Sequence, residues 1–416
     1  PMAATKSLDE KLARIHADPH GARDFILADA KDADMALSIG APGKSPERWP
    51  DGEVRHRTLA EFRDIIEEIV QQGLVDIMLM SASTSELLTI QKRIFDNSRV
   101  TPAARANDTT DIHIVRGGRY ASQPSMPFRT ATLDHIQCGK FACKPEERSL
   151  GANLGLYSIT FTNDTERDRA NLEAYKAFRL EAEAKGFRHF LEVFDPNIEG
   201  AVSPEQLPGY INDCIVRALG GVTGRGRPDF LKIVYHGPRA MEELVRYDPH
   251  LVVGILGGAA GTTYDAFKLL GEAKKYGARV ALFGRKINNA EHQLAFIRFL
   301  RLIADGEVSP EEAVHAYHGT LQALGITPHR PIDKDMELHT GVMNYAGTGK
   351  TISVPPAASA PKPGSTQTSA TTGNNCGCAP TKPGPCACDE TKPDFTKMTP
   401  AEKVAYHRAR WNRSLG

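Results

Sequence analysis

The chain contains 416 residues, and its 51 lysine and arginine side chains balance its 51 aspartate and glutamate side chains, so its formal net charge is zero. This balance gives no basic surface for nucleic acid, and no apolar run approaches the roughly 20 residues that a membrane-spanning helix needs. The N-terminal segment lacks the apolar centre of a secretory signal, so we expect a cytoplasmic protein without nucleic-acid or membrane partners.

The first part of the chain predicts a helical extension followed by alternating strands and helices. Residues 1–33 are expected to form a peripheral helical extension. Its predicted apolar face comprises Leu8, Leu12, Ile15, Phe25 and Ile26. The short apolar run 35–43, which ends in glycine and proline, is the predicted first strand. A helix is predicted for 58–73, from an N-cap threonine to a final glycine, and a second strand for 75–83.

A long insertion interrupts this alternation after the third predicted strand, which begins near residue 100. Residues 103–150 are polar and rich in glycine and proline, and loops of this length are uncommon unless they are functional or disordered. Several polar and charged residues of the insertion, among them Asn107, Asp108 and Arg129, favour an ordered segment over a barrel mouth or a contact between subunits.

Regular alternation returns in the second half of the chain and predicts parallel strands joined by crossover helices. We therefore expect an α/β fold, a (β/α)₈ (TIM) barrel spanning 34–345, with a long insertion after strand three and a disordered C-terminal tail. The predicted strands four to eight are 154–164, 187–197, 228–237, 251–263 and 279–288.

Lys232 stands in the middle of predicted strand six, in the run PDFLKIVYHG, where an ionised amine would lose its hydration. Burial favours the neutral amine. A neutral amine at a barrel mouth can attack a carbonyl and form a Schiff base, an electron sink for breaking or making carbon–carbon bonds. In the alternative interpretation, Lys232 points outward and extends between helices.

Glu192 is a second charged residue in an otherwise apolar strand, FLEVF. A carboxylate at this position could transfer protons while a carbinolamine forms and loses water. The alternative is a structural ion pair inside the barrel, and a pair of Glu192 with Lys232 could serve both roles.

Glycines end the two last predicted strands, Gly257 and Gly258 after strand seven and Gly284 before Arg285 after strand eight. Loops at these two places form the usual phosphate site of such barrels. Glycine lets backbone N–H groups approach an anion, and arginine can bind it through two hydrogen bonds. These residues predict a phosphate site, with Lys286, Thr262 and Thr263 as lesser candidates.

The lysine in FLKIVYHG, the glutamate in FLEVFDPN and the LGG and FGR exits together resemble the class I, Schiff-base aldolases. The most similar groups are the archaeal-type fructose-bisphosphate aldolases and the tagatose-bisphosphate aldolases, with the deoxyribose-phosphate aldolases further away. The resemblance implies that Lys232 forms the Schiff base, that Glu192 transfers protons, and that Gly257, Gly258, Gly284 and Arg285 surround a phosphate. It covers roughly 154–326.

Two features depart from that family. Its members usually carry an aspartate at the exit of strand one, where the predicted strand of this chain ends in Ile39, Gly40, Ala41 and Pro42. The long insertion is also foreign to the family. Asn107 or Asp108 could supply the missing polar group, and without one the barrel could bind a sugar phosphate and not turn it over.

The C-terminal part changes in composition. Residues 346–393 are predicted to be a disordered linker rich in proline, serine and threonine. It contains two CxC pairs, which could bind a metal or form a redox-labile cluster. These cysteines are Cys376, Cys378, Cys386 and Cys388. Residues 394–416 regain helical character and resemble peptides that dock enzymes to a partner, including targeting peptides of bacterial microcompartments.

The leading prediction is therefore a metal-independent class I aldolase that needs no cofactor, acts on a sugar phosphate and, on family resemblance, forms homo-oligomers. The alternative is a non-catalytic sugar-phosphate-binding or scaffold barrel with a docking or metal-binding tail. The odd cysteine count, seven, argues against a secreted disulfide framework.

Overall fold

The computed structural model describes residues 5–258 and 261–339, together with residues 398, 399 and 402. Within these residues eight parallel strands close into a barrel in chain order. The predicted (β/α)₈ fold with an insertion after strand three is therefore confirmed. Strands one to eight are Ile26–Lys31, Ile77–Met80, Thr101–Arg105, Leu154–Thr160, Arg188–Phe194, Leu231–Ile233, Val253–Leu256 and Val280–Phe283.

Helices surround the barrel and begin where the sequence provides a cap. Thr58 and Glu61 form a capping box at the start of the second long helix, and Gly73 ends it in the left-handed conformation (φ 67°) that favours glycine. The long helices are Ser7–Ala17, Leu59–Gln72, Thr165–Ala184, Leu207–Leu219, Pro238–Tyr247, Thr263–Lys275, Gln293–Asp305 and Pro310–Ala323. Shorter helical segments are Ala82–Ser85, Glu86–Gln91, Leu133–Cys138, Arg285–Asn288 and Ile332–Asp335.

The position predicted for strand one was wrong. The first strand is Ile26–Lys31, inside the segment predicted to be a helical extension, and 35–43 instead forms two tight turns in which Ile39 is 70% exposed. The strand carries a buried aspartate and lysine, Asp29 and Lys31, which pair at 2.9 Å. Because charged residues stand at these two buried positions, the segment lacks the continuous apolar run that indicates a buried strand.

One end of the barrel interior is filled by apolar side chains. Along each strand alternate residues face the interior, and Ala28, Leu79 and Leu156 belong to one buried cluster there. Leu8, Leu12 and Ile15 of helix Ser7–Ala17 join this cluster. The predicted apolar face of the N-terminal helix is thus buried at the end where the strands begin. The polar side chains of the interior lie towards the opposite end, the mouth.

The insertion is ordered and has two parts. Its first part pairs Asp108–Thr109 with Pro127–Phe128 as a short antiparallel ribbon. Its second part contains helix Leu133–Cys138, and Cys138 forms a disulfide with Cys143. The sequence interpretation did not anticipate this pair, which a tight turn at Gly139 (φ 71°) makes close in space.

The chain divides into two units, Pro1–Val354 and Pro355–Gly416. The predicted linker, its four cysteines and nearly all of the C-terminal peptide lie outside the described residues. Thr399 and Glu402, which are described, exchange the hydrogen bonds of a capping box, as at the start of a helix. No helix among the described residues is long and apolar enough to cross a membrane.

Candidate active site

Strands five and six bring the predicted glutamate and lysine together. Glu192 and Lys232 are register partners in neighbouring strands, so their side chains leave the sheet on the same face, about 4.8 Å apart. Nζ of Lys232 lies 2.6 Å from Oε1 of Glu192. Each residue lies two positions beyond a phenylalanine, Phe190 or Phe230, whose rings stack in the barrel interior. The pair therefore points into the barrel, and the outward position considered for Lys232 is excluded.

An arginine and an aspartate extend this ion pair across the barrel. Nε of Arg105 donates a hydrogen bond to Oδ2 of Asp32 at 2.6 Å, and its Nη1 donates to Oγ of Ser158 at 3.2 Å. Ser158 Oγ in turn donates to Oε2 of Glu192 at 2.7 Å. We call Asp32, Arg105, Ser158, Glu192 and Lys232 the mouth network. Its two cations and two anions cancel in formal charge.

Asp32 follows the last residue of strand one and lines the same cavity as Lys232. The sequence interpretation that strand one lacks an aspartate at its exit was therefore wrong. The error arose because strand one had been placed at 35–43. Arg105 also escaped the sequence analysis. It is the last residue of strand three, and the polar insertion follows it. Because no apolar residues continue the strand after Arg105, the sequence does not indicate that it is buried.

Asn107 and Asp108 do not replace the strand-one aspartate. Nδ2 of Asn107 donates to the backbone oxygen of Ser158 at 2.9 Å, and the Ser158 backbone N–H donates to Oδ1 of Asn107 at 2.6 Å. The amide therefore links strand three to strand four with both of its ends in use. Asp108 lies in the insertion ribbon, and burial raises the pKa of its carboxyl to about 6.

The predicted phosphate-binding residues share one cavity with the lysine and glutamate. Gly257, Gly258, Gly284 and Arg285 line it. Gly258 has a left-handed backbone (φ 63°), which favours glycine. A Cβ on Gly284 would lie 2.7 Å from the backbone oxygen of Ala30, so only glycine lets strand eight approach strand one there. The glycines of the two exits thus line the cavity that also contains Lys232.

A buried lysine of strand one supports the exit of strand eight. Nζ of Lys31 donates hydrogen bonds to Oδ1 of Asn288 at 2.6 Å and Oε1 of Gln293 at 2.9 Å. Asn288 ends the short helix that Arg285 begins. The pairing of Asp29 with Lys31 thus fixes the segment that presents the arginine to the cavity.

The lesser phosphate candidates have structural partners. Thr262 caps helix Thr263–Lys275 together with Asp265, and the backbone N–H of Thr263 donates to Asp335 Oδ1 at 2.8 Å. Nζ of Lys286 donates to the backbone oxygen of Gly261 at 2.7 Å, and burial lowers the pKa of this lysine to about 8. The carboxylates of Asp265 and Asp335 already occupy the N-terminus of helix Thr263–Lys275. The predicted phosphate site is therefore limited to the two glycine exits and Arg285.

Metal coordination has no candidate in the described part of the barrel. Residues 5–258 and 261–339 contain no group of three or more histidine, cysteine, aspartate or glutamate side chains placed to hold a metal ion.

These features define a class of protein: a parallel eight-stranded barrel with a buried lysine–carboxylate pair on strands five and six and glycine exits on strands seven and eight. Among solved structures, the chain is similar to the fructose-bisphosphate aldolase from Slackia heliotrinireducens DSM 20476. The two are 13% identical, with a TM-score of 0.52, and the match covers 77% of this chain and 93% of that one. At this identity the likeness establishes the fold.

Two further solved structures are also similar to the chain. An archaeal fructose 1,6-bisphosphate aldolase is 18% identical with a TM-score of 0.48, covering 72% of this chain and all of its own. A protein of Corynebacterium glutamicum is 14% identical with a TM-score of 0.48, covering 74% of this chain and all of its own. No protein family and no curated protein sequence matches the chain. The resemblance inferred from the sequence is thus confirmed at the level of fold.

Proposed function

We propose that the protein is a class I aldolase that breaks or forms a carbon–carbon bond of a sugar phosphate through a Schiff base on Lys232. The observation that carries the proposal is the 2.6 Å contact between Lys232 Nζ and Glu192 Oε1, buried inside the barrel and beside the glycine exits. The similarity of the barrel to the fructose-bisphosphate aldolase from Slackia heliotrinireducens supports it, as does Asp32 at the exit of strand one.

The geometry lets Glu192 activate the lysine. The carboxylate takes a proton from the ammonium of Lys232, and the neutral Nζ attacks the carbonyl carbon of the substrate. The carbonyl oxygen becomes a hydroxyl by taking the proton that the nitrogen releases. Protonated Glu192 then gives its proton to that hydroxyl, which leaves as water, and a cationic iminium remains next to the carboxylate.

The iminium is the electron sink for carbon–carbon cleavage. The hydroxyl on the β-carbon gives its proton to the Glu192 carboxylate, and its electrons form an aldehyde carbonyl as the bond between the α- and β-carbons breaks. The electron pair of the broken bond moves into the iminium and leaves an enamine. In the opposite direction, the enamine carbon attacks an aldehyde. The phosphate would lie against the glycine exits and Arg285, which places the carbonyl next to Nζ.

Borohydride trapping of the wild-type protein tests this proposal directly. We expect dihydroxyacetone phosphate, or another keto phosphate of a panel, to leave a reduced covalent adduct, seen by intact mass and located on Lys232 by peptide mapping. Failure of every keto phosphate to form an adduct, in protein that still binds phosphate ligands, would overturn the proposal in favour of a binding barrel.

Replacing Glu192 by glutamine is expected to lower turnover by roughly 10²- to 10⁴-fold, because the side chain keeps its shape and loses its ability to carry a proton. Turnover and the rate of adduct formation are measured per folded molecule. Ser158→Ala is the matched control: it removes one hydrogen bond to the carboxylate and leaves the proton carrier, so we expect a loss of about tenfold or less. Unchanged turnover in Glu192→Gln would identify a purely structural ion pair.

Arg285→Gln is expected to weaken the binding of dihydroxyacetone phosphate about 10- to 100-fold, because it removes a charged hydrogen-bond donor from the proposed phosphate site. Titration calorimetry measures the effect. Arg225→Gln removes the same charge from an exposed position before strand six, at the opposite end of the barrel, and is expected to leave binding unchanged. Equal binding by the two variants would move the phosphate away from the strand-eight exit.

A further inference from the structure

A buried apolar layer lies directly beyond the catalytic pair along the strands. Alternate strand residues face the interior, so the residue two positions after each interior residue also faces it, one step nearer the mouth. On strands five, six and seven these residues are Phe194, Val234 and Leu256. Ile112 of the insertion packs on them, and all four are at most 6% exposed. We call these four residues the apolar layer.

Hydrogen bonds hold the insertion in this position. Asp111, next to Ile112, accepts from Thr160 Oγ1 of strand four at 2.9 Å and from Ser125 Oγ at 2.7 Å. Beyond strand five, Nδ2 of Asn197 donates to the backbone oxygen of Gln123 at 2.6 Å. These hydrogen bonds hold Ile112 against the other three residues of the apolar layer.

The two sides of the lysine thus differ in chemistry. Towards strands one, seven and eight, the cavity presents Asp32, the glycine backbone and Arg285. Towards strands five and six and the insertion, the apolar layer presents hydrocarbon. The next alternate residue after Val234 is His236, four residues beyond Lys232, whose Nε2 lies 2.9 Å from Asp195 Oδ1. The apolar stretch is therefore about two strand positions deep, roughly 7 Å.

We propose that the aldehyde released or taken up by this aldolase is a short aliphatic aldehyde without hydroxyl groups on its chain. This inference rests on the proposed function. In the synthetic direction, the enamine carbon donates its electron pair to the aldehyde carbon, and the aldehyde oxygen takes the proton carried by Glu192 and becomes a hydroxyl. Water then hydrolyses the iminium and frees Lys232. Only the carbon chain of the aldehyde contacts the apolar layer. A hydroxyl on that chain would lose its hydrogen bonds to water there without gaining one from these side chains.

A matched panel of three-carbon aldehydes tests the inference, with dihydroxyacetone phosphate as the donor. Propanal, lactaldehyde and glyceraldehyde carry zero, one and two hydroxyls on chains of equal length. We expect kcat/KM to be highest for propanal and up to about 10²-fold lower for glyceraldehyde. Equal or better use of glyceraldehyde would overturn the inference.

Trapping separates the two ways in which this experiment can fail. If borohydride fixes the donor on Lys232 and glyceraldehyde is the better acceptor, the proposed function stands and the inference falls. If no keto phosphate forms an adduct, the proposed function falls and the inference falls with it.

Nearly isosteric variants test whether the apolar layer sets the preference. Val234→Thr places a hydroxyl in the layer, and we expect it to shift the propanal-to-glyceraldehyde ratio of kcat/KM at least about fivefold towards glyceraldehyde. Ile112→Thr makes a similar change from the insertion, outside the barrel strands. Val252→Thr is the control, because Val252 belongs to the interior cluster on the other side of Lys232. An unchanged ratio in both layer variants would contradict the inference.

Discussion

Lys232→Met is expected to abolish the borohydride-trapped adduct and to lower aldol turnover by on the order of 10⁴-fold or more, because it removes the amine that forms the proposed covalent intermediate. Methionine fills nearly the same volume without an amine. Intact mass and turnover per folded molecule are the measurements. An adduct that persists in this variant would exclude Lys232 as the Schiff-base residue.

Lys286 is the rival nucleophile that this experiment must exclude. It is half-buried at the exit of strand eight, close to the predicted phosphate site, and partial burial lowers its pKa to about 8, which makes the neutral amine accessible near neutral pH. Its Nζ is nevertheless engaged by the backbone oxygen of Gly261 at 2.7 Å, and no carboxylate is hydrogen-bonded to it among the described residues. Lys286→Met is therefore expected to keep the adduct on Lys232, while loss of the adduct in this variant alone would reverse the assignment.

The lysine–glutamate pair could be predicted because each charge interrupts a short apolar run. Such runs are buried strands, and a charge within one must be paired or functional. Counting strands from the regular second half of the chain then placed Lys232 on strand six and the glycine exits on strands seven and eight. Here the sequence pattern and the fold agree, since local apolar periodicity decides where these strands form.

Asp32 and Arg105 could not be found in the same way, because their partners are distant in the chain. Strand one carries Asp29 and Lys31 on the face that packs against the helices. These two charges interrupt the apolar pattern of the strand, and they form a buried ion pair only in the folded barrel. Arg105 bonds to Asp32, 73 residues earlier, across the barrel mouth. Charge pairing over such a separation is a property of the closed barrel and leaves no local pattern.

The apolar layer was hidden for a related reason. Ile112 stands among polar residues of the insertion, and the hydrogen bonds that Asp111 accepts from Thr160 and Ser125 help to hold it over the mouth. The sequence predicted an ordered segment over the barrel mouth or a subunit contact. The structure shows the former for the first part of the insertion, and this position turns a single isoleucine into a wall of the candidate site.

Arg105→Met is expected to destabilise the protein by about 3–5 kcal/mol, measured by urea unfolding, because it leaves Asp32 without its partner and the mouth network with a surplus negative charge. Both oxygens of Glu192 then depend on Lys232 and Ser158 alone. Arg99→Gln is the control: Arg99 pairs with Glu10 on the surface, where its side chain is 57% exposed, so we expect a loss of at most about 1 kcal/mol.

The double variant Arg105→Met with Asp32→Asn shows whether charge balance is the cause. Removing the aspartate's charge together with the arginine restores a neutral network of Glu192 and Lys232. We therefore expect the double variant to be less destabilised than the sum of the single variants by about 1–3 kcal/mol. Additive losses would mean that Arg105 acts through packing alone. Coupling would mean that Arg105 and Asp32 act as a charge pair, so that the arginine balances the strand-one aspartate while the proton passes between Lys232 and Glu192.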